Sequence, residues 1–159
     1  MPDRQRARAD RSWRAAGAGG IVIAMTTTAL TNRTFILNYV DALQRGDEAA
    51  IRDSFHEDAT WLMPGDHPAA GTWVGRDAIL GDFLGAVLER FVPGSLRFEV
   101  RSVTVEDDRA VLEWGVRART VTDKDYDNSY LAVFVLRDGR IAHVREYADT
   151  QHMAGVLFG

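Results

Sequence analysis

Apolar residues Ile36, Tyr39, Val40 and Leu43 recur at helical spacing within residues 31–45, which predicts a helix with Thr31 as its N-cap and Gly46 just past its end. Asp47 is placed to cap a second, short helix running to Phe55, with Ile51 and Phe55 one turn apart. Residues 59–64, ATWLMP, predict a short strand closed by Pro64-Gly65. Across residues 76–90, Ile79, Phe83 and Val87 step at i+4 and predict a third helix, which Pro93-Gly94 stops. Beyond Gly94 the period changes to two. Strands are expected over 95–105, 109–121, 125–137 and 140–148, with Asp138-Gly139 as the strongest hairpin signal. Helices first and a four-stranded antiparallel meander afterwards predict an α+β fold, with helices on one face of a sheet that must twist. Residues 130–136, YLAVFVL, are apolar on both strand faces, so the outer face needs its own cover, and a homodimer is the simplest way to supply it.

Composition narrows the function classes. A chain of 159 residues with 46% hydrophobic content can bury one core and has no room for two. It has no cysteine, which excludes disulfides, thiol nucleophiles and cysteine-based metal sites and is compatible with a cytoplasmic location. No apolar run approaches the roughly 20 residues that cross a bilayer, so no membrane partner is expected. Residues 1–24 carry five arginines against two aspartates, on a chain whose net charge is −4. With little aromatic interleaving and an acidic body, this stretch reads as a disordered Arg-rich leader rather than a nucleic-acid arm, and residues 25–159 as a single domain.

His56, His67, His143 and His152 show no metal-binding spacing, and no metal or cofactor is expected. Serine-hydrolase elbows and phosphate loops are absent too. Polar side chains of the meander remain. By the period of two, Tyr126, Asn128, Tyr130, Ala132 and Phe134 share one strand face, and Ala142, Val144, Glu146 and Ala148 share another. The hairpin makes these strands neighbours. If both sets face the core, Glu146, Tyr130 and Asn128 line a concavity walled by Phe134 and Val144, with Trp61 and Trp114 shaping it. A desolvated Glu146 would suit proton transfer, Tyr130 would donate to a carbonyl or enolate oxygen, and Asn128 would orient either. The bland reading pairs Glu146 with Arg117 or another cation across the sheet.

The segments YVDALQRGDEAAIRDSFHEDATWLMPG, GTWVGRDAIL, YDNSY and LRDGRIAHVREYADT, in this order, resemble the SnoaL-like group of the nuclear-transport-factor-2-like superfamily over residues 31–152. The resemblance implies a cone-shaped barrel, N-terminal helices packed in a strongly curved antiparallel sheet, with a pocket at its open end and frequent dimerisation. It implies activities among polyketide cyclases, isomerases, dehydratases and epoxide hydrolases, alongside non-catalytic ligand-binding members. V-R-E-Y-A-D at 144–149 is similar to the last strand of the epoxide hydrolases and puts Glu146 on their acidic position. Their other water-activating positions fall near Thr60, Leu62, Gly115 and Arg117, which brings Leu62 and Arg117 into the substrate-facing set. The alternation Leu112, Trp114, Val116, Ala118 turns Arg117 outward instead, and the two readings stand side by side. The function expected is acid-base chemistry on an apolar, carbonyl-bearing small molecule.

Overall fold

The computed structural model describes the backbone of residues 18–159 and side chains from residue 27 onward. Helix α1 (Ala18–Arg45) is followed by α2 (Glu48–Asp53), strands β1 (Phe55–Met63) and β2 (Gly71–Val74), and a third helix, α3, over residues 78–88. Strands β3 (Arg97–Glu106), β4 (Arg109–Arg119), β5 (Asp125–Arg137) and β6 (Arg140–Ala148) come next, and α4 (Thr150–Met153) with a π-turn (Ala154–Phe158) ends the chain. The six strands form one curved, unclosed sheet in the order β2-β1-β6-β5-β4-β3. None of the helices among the described residues is long and apolar enough to cross a membrane.

The hairpins arise where local chemistry demands them. Asp138 and Gly139 both take positive φ, 51° and 72°, as the tight turn joining β5 to β6 requires. Asp47 accepts from the Ala50 N–H at 3.0 Å and so caps α2, as its position in the sequence suggests. That helix stops at Asp53, so that Phe55 opens β1 rather than closing α2.

Three further features depart from the sequence reading. Helix α1 begins at Ala18, and Thr31 lies inside it, donating to the Thr27 carbonyl at 3.0 Å instead of capping. Residues 1–17, which hold all five arginines of the expected leader, lie outside the described residues. The four-stranded meander is extended by β1 and β2, and β1 pairs with β6 in parallel, Trp61 opposite Val144. Parallel partners need a long crossover and leave no turn signal between them. Finally, residues 78–85 of α3 are π-helical, which places both Phe83 and Leu84 toward the interior.

Bulges curve the sheet. Arg101 is the extra residue between β3 and β4, and Ala142 the extra residue between β5 and β6. The second bulge lets Ile141 and Ala142 both be buried, and it precedes Val144 and Glu146, which return to the inner face. The core sits between that face and α1, where Tyr39 meets Phe55 and Phe134 edge-on at 5.6 and 6.0 Å. Phe134 is fully enclosed. Phe134→Ala is expected to cost about 3–5 kcal/mol of unfolding free energy in urea denaturation, the range for an aromatic deleted from a closed core; a cost below about 1 kcal/mol would contradict this packing.

Candidate functional site

The inner face of the sheet, α1 and α3 surround a cavity of about 100 Å³. Its walls are apolar: Leu43, Met63, Phe83, Val87, Phe98 and Met153 contribute, among others. Five of the lining residues carry a polar side-chain group: Tyr39, Trp61, Trp114, Tyr130 and Glu146.

Glu146 is placed by β6 opposite Ala132 of β5, a residue small enough to leave space beside the carboxyl group. It is 4% exposed, and none of the ion pairs among the described residues includes it. Burial raises its pKa from 4.5 to about 8; the Trp61 indole N–H faces the carboxyl group and holds the value below where burial alone would put it. That indole nitrogen nevertheless makes no hydrogen bond of normal geometry. At pH 7 Glu146 is thus mainly a neutral acid, able to donate a proton and then, as carboxylate, to take one.

Tyr130 enters from β5, with its ring edge-on to Trp114 at 6.1 Å. Burial above all pushes its hydroxyl pKa well up, so it stays a donor. Its hydroxyl forms a short hydrogen bond with the Tyr126 hydroxyl. Asn128 does not line the cavity. Its Nδ2 donates to the Tyr126 hydroxyl at 3.0 Å and to the Asp149 carbonyl at 3.1 Å, while its Oδ1 accepts from the Asp149 N–H at 3.3 Å. This two-point clamp fixes which end of the amide is the donor. With Tyr126 accepting from Asn128 and closed off from solvent, its own proton has one partner within reach, Tyr130; the reverse arrangement would orphan a buried O–H at about 1–3 kcal/mol. The Tyr130 proton is then left for the cavity. Asn128, expected to touch substrate, contacts Tyr126 and the Asp149 backbone instead.

The remaining candidates separate cleanly. Trp61 and Trp114 line the cavity. Phe134 and Val144 are buried in the core and do not line the cavity; Tyr39 of α1 packs on Phe134. Leu62 alternates to the outer face, on which it lines a shallow groove with Val133 and Arg145. Arg117 also stands outside, 63% exposed, between Asp127 at 3.1 Å and Glu99 at 3.8 Å. The apolar alternation of β4 settles its side, and it cannot neutralise Glu146. His143 meets Thr60 at 2.9 Å and His56 meets the Arg137 carbonyl, both away from the cavity. No cluster able to hold a metal ion occurs among the described residues.

One polar group escaped the sequence reading. Tyr39 reads as part of an apolar helical stripe, yet its buried hydroxyl has no hydrogen-bond partner and lies close enough to Glu146 for the carboxylate charge to add to the effect of burial in raising its pKa. A tyrosine on a buried stripe is the available signal, since its hydroxyl must find a partner somewhere.

A family model described as the SnoaL-like domain matches residues 36–144. No curated protein matches the chain. Among solved structures, Bal32a from a soil-derived mobile gene cassette is 26% identical, with 82% of this chain and 98% of that one covered at a TM-score of 0.73. A SnoaL-like polyketide cyclase, so described as putative, from Jannaschia sp. CCS1 is 18% identical over 82% and 93% of the two chains, TM-score 0.69. TerC, co-crystallised with polyporic acid, is 22% identical over 81% and 99%, TM-score 0.70.

The Glu146 environment has a measurable consequence for stability. Between pH 4.5 and 8 the folded state holds a proton at Glu146 that the unfolded chain has released, so rising pH removes about 1.4 kcal/mol of stability per pH unit in that window. Glu146→Gln, which cannot ionise, is expected to be more stable than wild type at pH 8 and to gain less or nothing at pH 4.5. Urea denaturation at both pH values checks this; equal differences at the two would contradict a buried, proton-holding Glu146.

Proposed function

The chain belongs to the SnoaL-like domain family, and from that premise we propose that it is a small-molecule enzyme working by acid-base chemistry, without a cofactor, on an apolar, carbonyl-bearing substrate of polyketide or terpenoid type. The observation that supports this most is Glu146: a carboxyl group enclosed by apolar walls, with no cation beside it and a pKa near 8. Such a group is matched to proton transfer at neutral pH.

The neutral acid gives its proton to a carbonyl oxygen, and the carboxylate so formed takes one from the adjacent carbon. Glu146 is regenerated and the substrate becomes its enol, from which ring closure, a double-bond shift or loss of water can follow. Tyr130 donates a hydrogen bond to the same carbonyl oxygen and polarises it before the proton is transferred, between walls that are apolar. Asn128 and Tyr126 hold Tyr130 in place. Relatives of the same fold include a cyclase-like protein and one crystallised with polyporic acid, which is in keeping with a small-molecule cavity. The proposal includes a cytoplasmic setting and a homodimer through the outer face of β5 and β6, where the cross-strand neighbours Leu131 and Tyr147 are 41% and 46% exposed.

With a substrate found by screening polyketones and cyclic enones, Glu146→Gln is expected to lower kcat/KM by about 10²–10⁴, the usual contribution of a general acid or base. The wild-type rate should fall as pH rises through about 8, because the acid form begins the reaction. A loss below tenfold would remove Glu146 from the mechanism and leave a ligand-binding protein.

A further inference from the structure

An apolar protein cavity of about 150 Å³ admits benzene, and sites for larger organic ligands run to about 300–1,000 Å³. At about 100 Å³ the cavity beside Glu146 is smaller than either. A ring-bearing substrate therefore fits only once part of the wall has moved.

Most of the wall is fastened. The strands are held by the hydrogen bonds of one sheet. Helix α1 is tied to β3 and the turn after it: Asn32 donates to the Asp107 carbonyl at 2.8 Å, and Gln44 accepts from the Phe98 N–H at 3.0 Å and donates to the Leu96 carbonyl at 3.2 Å. The C-terminal segment that carries Met153 is held by the Asn128 clamp and by Arg90, which donates to the Leu157 carbonyl at 2.7 Å. Helix α3 has nothing of the kind. Its one polar side chain, Asp82, makes no hydrogen bond or ion pair among the described residues. Ile79 and Phe83 anchor its first half, Phe83 lying stacked on Trp73 at 5.4 Å and edge-on to Trp61 at 5.5 Å. In its second half Leu84 and Val87 are half-buried and Leu88 is 47% exposed.

The winding of α3 also disagrees with its sequence. Ile79, Phe83 and Val87 form an i+4 stripe suited to an α-helix, yet residues 78–85 are π-helical. Successive residues of an α-helix stand about 100° apart, which would put Leu84 and Leu88 well to the side of that stripe. In the π winding both leucines line the cavity with Phe83 and Val87.

From this mismatch we infer that α3 is the lid of the cavity: rewinding residues 78–85 from π to α turns Leu84 and Leu88 out of the wall and admits a ring-sized ligand. The inference rests on the small-molecule reading above and names how its site is entered. Rewinding exchanges i→i+5 backbone hydrogen bonds for i→i+4 ones, so the two forms differ little in bonding. Phe83 keeps its place between the two tryptophans, and the polar groups on the strands and α1 do not move. Affinity is lowered by the fraction of molecules that are closed.

Naphthalene is the probe, because it has no carbonyl and is blind to acid-base chemistry. Leu84→Asn separates a lid from a fixed wall by the sign of its effect. An amide costs more in the apolar closed wall than turned outward, so the variant populates the open form, and its naphthalene affinity in an NMR titration is expected to rise about threefold or more. Val87→Asn, which stays on the inner stripe in both forms, should lower that affinity about threefold or more. An unchanged or lower affinity in Leu84→Asn, a rise in both variants, or no naphthalene binding to wild type up to its solubility limit would overturn the inference. If Leu84→Asn does not fold, amide hydrogen exchange of the wild-type chain decides. Residues 82–88 are expected to exchange about a hundredfold faster than residues 36–43 of α1, after correction for intrinsic rates, and equal protection would contradict a lid. Failure of the lid leaves the Glu146→Gln rate test standing, and loss of the role of Glu146 leaves the naphthalene results standing.

Discussion

Ionising a carboxyl group away from water costs several kcal/mol unless a cation or several donors share the charge. Glu146 has neither of these, and the rest of the site follows from that. The group stays protonated at neutral pH, so the surrounding wall can remain apolar and needs no arginine to balance it. The arginine that could have done so, Arg117, is turned outward by the alternation of β4 and is occupied by Glu99 and Asp127.

Architecture makes that isolation possible. The bulge at Ala142 resets the face of β6 so that Val144 and Glu146 point inward. The parallel partner β1 brings Trp61 to one side of Glu146, and β5 brings Ala132 and Tyr130 to the other. Helix α1 contributes Tyr39 from above, anchored by its edge-on contacts with Phe55 and Phe134. A second layer of polar contacts, in which Asn128 grips both the Asp149 backbone and Tyr126, ties the Tyr130 hydroxyl to the point where the chain leaves the sheet for α4. The polar groups of the cavity are thus carried on strands and a helix rather than on loops, which favours a preformed site.

Much of this was legible in the residues. The period-two runs placed β3 to β6 to within about two residues at each end. The Asp138-Gly139 turn makes β5 and β6 neighbours, and the alternation of the two strands then puts Glu146 and Tyr130 on one face. The parallel β1–β6 pairing left no local mark, and β2 is only four residues long on an edge, too short for a period to show. Side-chain roles were harder than strand positions. Phe134 and Val144 lie on the predicted face but below the cavity floor, a depth that alternation cannot report. Leu62 and Arg117 came from the likeness to epoxide hydrolases, and the alternation of their own strands puts both outside. Tyr39 was hidden in a helical stripe whose spacing says packing and whose hydroxyl says otherwise.

The most direct test of the account is the titration of Glu146 itself. With glutamate labelled by ¹³C at its side-chain carboxyl carbon, and the Glu146→Gln protein used to assign the missing resonance, NMR should show one glutamate titrating with a midpoint near 8. If the Glu146 resonance instead titrates near 4.5 like a solvated carboxylate, the carboxyl group is not sequestered, and the acid-base role assigned to the cavity is wrong.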